Sequence, residues 1–335
     1  MPSSDPGQSL RCAPRHRAEQ VDPAGNAPTW DAVMAIGIPG PWPRDISEAE
    51  PFATICEPPA ATIRGADGRV WRPQGLLVPA GGEQVRVIAH ERSAGPSAPM
   101  RRREWSLPGG PDGSCAELAG ALVAGEEERV AAFDQHRNDP AQGTVDVLLC
   151  THGTRDVCCG SSGTALFREA VDAFGGEAPA HTVDQRLMRT SHTGGHRFAP
   201  TALSFPEGVA WAHLDSGSLG AIVRRGGDVR RLAGHVRGAV WIGDAQSQVA
   251  DREGFVRHGW DWFLSAREAR VLDRDDHLGR SRIEVRCDSG PAAGRVVVAD
   301  VALAGRIPRP PCGSDASPDD PTDAVWTVSR VAAAG

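Results

Sequence analysis

The feature that most constrains this chain is an apolar run, Thr144–Leu149, that ends in Cys150-Thr-His-Gly-Thr-Arg-Asp-Val-Cys158-Cys159 and is answered further along by His192-Thr-Gly-Gly-His196. The run reads as a strand that delivers Cys150 into a loop. Helical period resumes at Leu166, Ala170, Val171 and Phe174, which puts Cys158 and Cys159 just before a helix. Val183–Thr190 alternates in strand fashion and leads to His192. Strand, loop, helix and strand in that order predict an α/β unit that gathers soft thiolates and imidazoles at its strand ends, the donor types of a zinc or iron–sulfur site.

The spacing bears on which centre this is. His192 and His196 are four apart, but Gly194-Gly195 between them disfavours a helix. No Glu lies between them to serve as the general base of a zinc protease, so zinc hydrolysis is poorly supported. A structural zinc ion suits the His pair, yet its Cys ligands normally lie two to four residues apart. Here seven residues separate Cys150 from Cys158 and eight separate it from Cys159. A loop that wide favours something larger than one ion; cluster, zinc and metal-free readings all stay open on spacing alone. Disulfide chemistry is disfavoured, because a bond between neighbours such as Cys158 and Cys159 is strained and the chain has no Cys-x-x-Cys pair.

Residues 1–27, rich in Pro, Ser, Arg and Asp, are expected to form a disordered lead-in. Residues 28–143 read as an N-terminal α/β unit: a strand at Ala32–Ile38 stopped by Pro39-Gly40-Pro41-Trp42-Pro43, strands at Gln84–His90 and Glu104–Leu107, and a helical stripe of Leu118, Leu122, Val130 and Phe133. Residues 144–226 hold both ligand motifs and a hairpin of Ala202–Phe205 and Val209–Leu214 around Pro206-Glu207-Gly208. Residues 227–335 carry a helix with Ala245, Val249 and Val256, N-capped by Asp244, and strands at Arg282–Cys287, Arg295–Leu303 and Ala324–Val331. Arg306–Asp323 reads as a surface loop. No internal repeat is visible, although the first two units are candidates for distant structural copies.

Composition excludes several function classes. All 36 basic residues of the 335 are Arg and the net charge is −7, with the Arg residues scattered or paired with acids, so no nucleic-acid footprint is expected. No run approaches the roughly 18 apolar residues of a membrane span, and Met1–Gln20 lacks an apolar signal core. A cytoplasmic protein is expected, in which the eight Cys serve as ligands or redox groups rather than a disulfide framework. Cys12 falls in the lead-in, and Cys56, Cys115, Cys287 and Cys312 read as structural or incidental thiols. His181, His213, His235 and His258 read as ordinary histidines. Gly-Gly pairs such as Gly226-Gly227 lack the strand–helix setting of a phosphate cradle, and no nucleotide cofactor is expected.

The two motifs, Cys-Thr-His-Gly-x-Arg-Asp-x-Cys-Cys and Ser-His-x-Gly-Gly-His-Arg-Phe-Ala-Pro, resemble the signature of the sucrase/ferredoxin-like family of bacteria and fungi. Gly40-Pro41-Trp42-Pro43-Arg44-Asp45, His235-Val-Arg-Gly and Gln248-Val-Ala-Asp251 are similar to other parts of it. The resemblance implies a thioredoxin-like ferredoxin core with N- and C-terminal additions, holding a [2Fe–2S] cluster. It implies Cys150, Cys159, His192 and His196 as ligands, with Cys158 as the alternative thiolate. His152, Arg155, Asp156, Gly194, Gly195 and Arg197 are then expected to tune rather than ligate: an Arg155–Asp156 salt bridge tying the loop, Arg197 offsetting cluster charge or receiving a partner's carboxylate, His152 as a hydrogen-bond donor, and the glycines letting backbone N–H groups approach sulfide. No acidic pair matches a sugar-cleavage motif, so glycoside hydrolysis finds no support.

A cluster with two imidazoles in place of two thiolates is less negative and easier to reduce, and its imidazole N–H groups couple electron uptake to proton uptake. The expected function is electron transfer with an unnamed redox partner protein. The alternatives are a zinc-binding scaffold, or a cluster-dependent reductase of a small substrate such as a ferric chelate.

Overall fold

The computed structural model describes residues 11–56, 58–92, 99–141, 143–173, 185–309, 312 and 317–334. The first ten residues of the expected lead-in, Phe174 and His181 lie outside the described residues.

A mixed sheet of ten strands dominates. Its strands are β1 (Ala32–Pro39), β2 (Ile63–Arg64), β3 (Val70–Val78), β4 (Gln84–Glu91), β5 (Arg101–Pro108), β6 (Val145–Cys150), β7 (Gln185–Thr190), β8 (Ala202–Phe205), β9 (Val209–Trp211) and β10 (Val236–Ala239). They run in the order β10-β9-β8-β6-β7-β3-β1-β4-β5, with β2 paired to β3. Two halves of this sheet repeat one plan. In the first, β1 has β3 parallel on one side and β4 antiparallel on the other, with β5 beyond. In the second, β6 has β7 parallel on one side and β8 antiparallel on the other, with β9 beyond. The halves join antiparallel where Leu76 of β3 faces Thr190 of β7. The two α/β units are therefore structural copies in strand order, as their sequences hinted.

The central strands β1 and β6 are buried on both faces, so they are apolar almost throughout, and the side-chain period of two sorts residues between two cores. Met34, Ile36, Val87 and Ala89 pack with Leu118, Ala119 and Leu122 of the Ser114–Ala124 helix. Val147, Leu149 and Trp211 pack with Leu166 and Leu219 of the second unit's helices and with Val249 and Phe255 of the Ala245–His258 helix. The alternate residues Val33, Ala35, Ile88, Leu148, Leu203 and Ala210 form one shared cluster, so the two halves pack face to face. Asp146 follows the parity of Leu148 and is fully buried among partners from both halves. His90 Nε2 stands 3.1 Å from its Oδ2, to which Arg102 Nε donates at 2.6 Å, while Arg186 Nε donates to its Oδ1 at 2.7 Å.

A second sheet, the antiparallel meander β11 (Ala266–Asp275), β12 (Arg280–Ser289), β13 (Val296–Pro308) and β14 (Thr322–Ala334), covers the Ala245–His258 helix through Ile283, Val285, Val297 and Ala299. Asp244 caps that helix by accepting the Ser247 N–H at 2.8 Å, as expected.

Several expectations need correction. Part of the lead-in is a helix, Cys12–Ala18, with Cys12, Ala13 and His16 buried. It shows no apolar period because few of its residues meet the body, among them His16 with its ring edge on Phe198 at 5.5 Å. The stripe from Leu118 to Phe133 is broken by Gly125, which has a positive φ of 72°, into the helices Ser114–Ala124 and Glu127–Ala131. Strand β3 was not foreseen: Trp71-Arg72-Pro73-Gln74 is polar and carries a proline, tolerated here because β7 pairs with β3 only at Leu76.

Candidate metal centre

Strand parity aims Cys150, the last residue of β6, to the same face as Leu148, toward the first unit. The loop that follows returns through a π-type turn, Cys159–Gly163, into the Thr164–Ala173 helix. The return is tight: a Cβ on Gly163 would stand 2.0 Å from the Cys150 carbonyl oxygen. Parallel strand β7 then brings the His192 turn beside the thiols.

Cys150 and Cys159 are fully buried, and with His192 they form a group whose donor atoms all lie within 4.8 Å of one another. His192 Nδ1 is 3.7 Å from Cys159 Sγ and 4.0 Å from Cys150 Sγ. The hydrogen bond from Cys159, followed by contact with His192, holds the Cys150 thiol well below its ordinary pKa, and the same pairing together with burial pushes Cys159 up. Both sulfurs ligate as thiolates, so a metal cation bound here would displace the protons they carry.

His196 is turned another way. Its Nδ1 lies 3.0 Å from Asp156 Oδ2 and 3.1 Å from Cys12 Sγ, and its ring centroid is 6.2 Å from that of His192. Cys158 also points away from Cys150, with its sulfur 3.6 Å from Cys12 Sγ and 3.5 Å from Cys312 Sγ. Of the four expected ligands the structure thus brings Cys150, Cys159 and His192 together, with His196 beside Asp156 at the edge. The thiols are buried while His192 and His196 are partly exposed.

The residues around the donors act differently from several expectations. His152 is a bridge: its Nδ1 accepts the His192 N–H at 3.1 Å and its Nε2 donates to the Pro43 carbonyl at 2.9 Å. Arg155 pairs with Asp45 at 3.5 Å rather than with Asp156, because Asp156 is taken by His196 and by the Cys158 N–H at 2.8 Å. Arg197 is buried against the chain's own Asp323, its Nη2 donating at 2.7 Å. Gly194 and Gly195 have positive φ of 84° and 71°, and a Cβ on Gly195 would meet the Arg237 guanidinium at 2.6 Å. The lack of a side chain at Gly195 is what admits that guanidinium.

Arg72, Gln74 and Arg237 were missed from the sequence. Arg72 Nη2 and Gln74 Nε2 donate to the His192 carbonyl at 2.7 and 3.2 Å, and Arg237 Nη1 donates to the Gly194 carbonyl at 3.0 Å. Burial lowers Arg72 to about 10 and Arg237 to about 9, which leaves both cationic at neutral pH beside the thiols. Only the His235-Val-Arg-Gly similarity hinted at Arg237.

Fold and site together define a mixed α/β protein with Cys/His groups able to hold a metal at its strand ends. The chain belongs to the sucrase/ferredoxin-like family, whose model matches residues 23–238. No curated protein and no solved structure matches it. No helix among the described residues is long and apolar enough to cross a membrane.

Proposed function

We propose that this protein is an electron carrier that binds a [2Fe–2S] cluster through Cys150, Cys159, His192 and His196. The observation that carries the reading is the donor set: two buried thiols of one loop converge with an imidazole of the next turn, and a second imidazole stands partly exposed beside them. Family membership agrees with it, and the β7-β6-β8-β9 plan supports a thioredoxin-like core.

A cluster held there supplies one-electron chemistry at a potential of about −150 to +300 mV, against about −400 mV for four thiolates. The residues of the chain set its surroundings. Asp156, accepting from His196 Nδ1, leaves the other ring nitrogen to face a metal, the usual arrangement of a carboxylate behind a ligating His. Arg72 and Arg237 stabilise negative charge added at the site. The partly exposed imidazole edge is where a partner takes electrons, next to a cleft of about 210 Å³ whose lining includes His192, three arginines (Arg44, Arg72 and Arg155) and one acid, Asp45, paired with Arg155; the excess of cations suits an acidic partner surface.

A single zinc ion is the second reading, favoured by the mutual closeness of Cys150, Cys159 and His192; the protein would then be a scaffold. Purification without chelators separates the two. A red-brown chain with about two iron and two acid-labile sulfide atoms supports the carrier, whereas colourless protein holding zinc at these residues overturns it. Saturable turnover of a ferric chelate would make the protein a reductase.

A further inference from the structure

A second group of donors supplies no ligand in that reading. Cys12 opens the N-terminal helix, Cys158 lies in the loop, and Cys312 lies in the connection between β13 and β14, so three remote segments contribute one sulfur each. Cys158 Sγ is 3.6 Å from Cys12 Sγ and 3.5 Å from Cys312 Sγ. The Asp156 carboxylate completes the group, whose donor atoms all lie within 4.8 Å of one another. Cys12 and Cys158 are 3% and 2% exposed.

Packing alone is a poor account of this. A buried Cys that acts as a small hydrophobe has no need to face two other sulfurs, and the partly exposed Asp156 carboxylate lies within donor reach of all three although His196 and the Cys158 N–H already hold it. A disulfide is a poor account too, since its sulfurs sit about 2.05 Å apart and Cys158 is nearly equidistant from two candidates. Tetrahedral zinc explains both facts: Zn–S bonds of about 2.3 Å set sulfurs about 3.8 Å apart, close to the two spacings found. Three thiolates and one carboxylate also make the closed four-donor set of a structural site rather than the open set of a catalytic one.

We propose that Cys12, Cys158, Cys312 and Asp156 bind a zinc ion, forming a second metal centre that clamps the N-terminal helix and the β13–β14 connection onto the ligand loop. The three thiols release their protons to solvent as the ion binds. The neighbours Cys158 and Cys159 then serve different centres. Asp156 stands between the centres, taking His196 Nδ1 on Oδ2 at 3.0 Å and the Cys158 N–H on Oδ1 at 2.8 Å. This centre goes beyond the proposed function and stands without it.

The test is metal analysis and zinc-edge X-ray absorption on the full chain purified without chelators. The expected result is about one zinc per chain with three sulfur neighbours and one oxygen or nitrogen. In a C12S/C312S variant zinc content falls below about a tenth of the parent value, while iron and sulfide stay. Zinc absent even when supplied, copper in its place, or a Cys12–Cys158 disulfide in the unreduced protein overturns the proposal. Because the absorption edge is read on the unmodified chain, the result holds if the variant misfolds. Zinc with two sulfurs, lost on Cys159→Ser rather than on Cys12→Ser, overturns this inference and the cluster reading together. A three-sulfur zinc without iron overturns the cluster reading alone.

Discussion

His152 Nδ1 accepts the backbone N–H of His192 at 3.1 Å while its Nε2 donates to the Pro43 carbonyl at 2.9 Å. One neutral imidazole thus ties the end of β6, the His turn and the proline-rich turn of the first unit, and burial, the main cause, keeps its pKa below the ordinary value. His152→Phe leaves both backbone groups without their partner, at a cost of about 1–3 kcal/mol. Thermal denaturation and iron content are both expected to fall; a variant with neither changed would show that the bridge does not position the His turn.

Cys159 faces His192 at 3.7 Å, whereas Cys158 faces Cys12 at 3.6 Å. Cys159→Ser is therefore expected to abolish the visible absorption of the purified protein and Cys158→Ser to keep most of it. The opposite outcome would move the ligand to Cys158.

Replacing His192 and His196 together by Cys is expected to retain a cluster. Its potential should fall toward about −400 mV and lose its pH dependence, read by redox titration at several pH values. An unchanged pH slope would refute proton coupling through these imidazoles.

Gly163 has no room for a side chain, since a Cβ would sit 2.0 Å from the Cys150 carbonyl. That atom is strand backbone and cannot turn aside. Gly163→Ala is expected to cost about 1–3 kcal/mol and to lower iron loading by shifting Cys159 relative to Cys150. Wild-type loading and melting temperature would show that the loop relaxes freely.

Stability should fall in acid for a reason remote from the metal centre. Burial, the larger cause, holds His90 below its ordinary pKa against the opposing pull of Asp146. Burial pushes the Asp146 carboxyl up, but His90 and Arg102 outweigh it and hold the carboxyl below its ordinary value. Both folded pKa values are depressed, so the unfolded chain binds more protons, and stability drops as pH falls below about 6.5 for His90 and again below about 3.9 for Asp146. Asp146→Ala leaves His90 Nε2 without its partner and takes one of two carboxylates from Arg102 and Arg186, which keep Glu104, and should cost about 1–3 kcal/mol at neutral pH. Denaturant midpoints measured between neutral and acid pH check both points; flat midpoints would rule the network out as the acid-sensitive element.

Much of the ligand loop was legible in the sequence because its cues are local. The apolar period of β6 ends at Cys150, helical period resumes beyond Cys159, and Gly194-Gly195 marks a turn, so the thiols and imidazoles could be assigned to strand ends before any contact was known. The repeated sheet plan was only hinted at, because β3, its joining strand, is disguised by Arg72, Pro73 and Gln74. Those polar residues are there for the site: Arg72 and Gln74 hold the His192 carbonyl.

By itself the sequence determined which residues line the cores and which donors reach the strand ends, since periods of two and of 3.6 follow from backbone geometry. Only the tertiary structure decided the company those donors keep. Arg155 goes to Asp45, Arg197 to Asp323, and Cys158 to Cys12 and Cys312. These pairings join residues far apart in the chain, where no local period records them, and they depend on how the two halves of the sheet and the C-terminal strands pack around one loop.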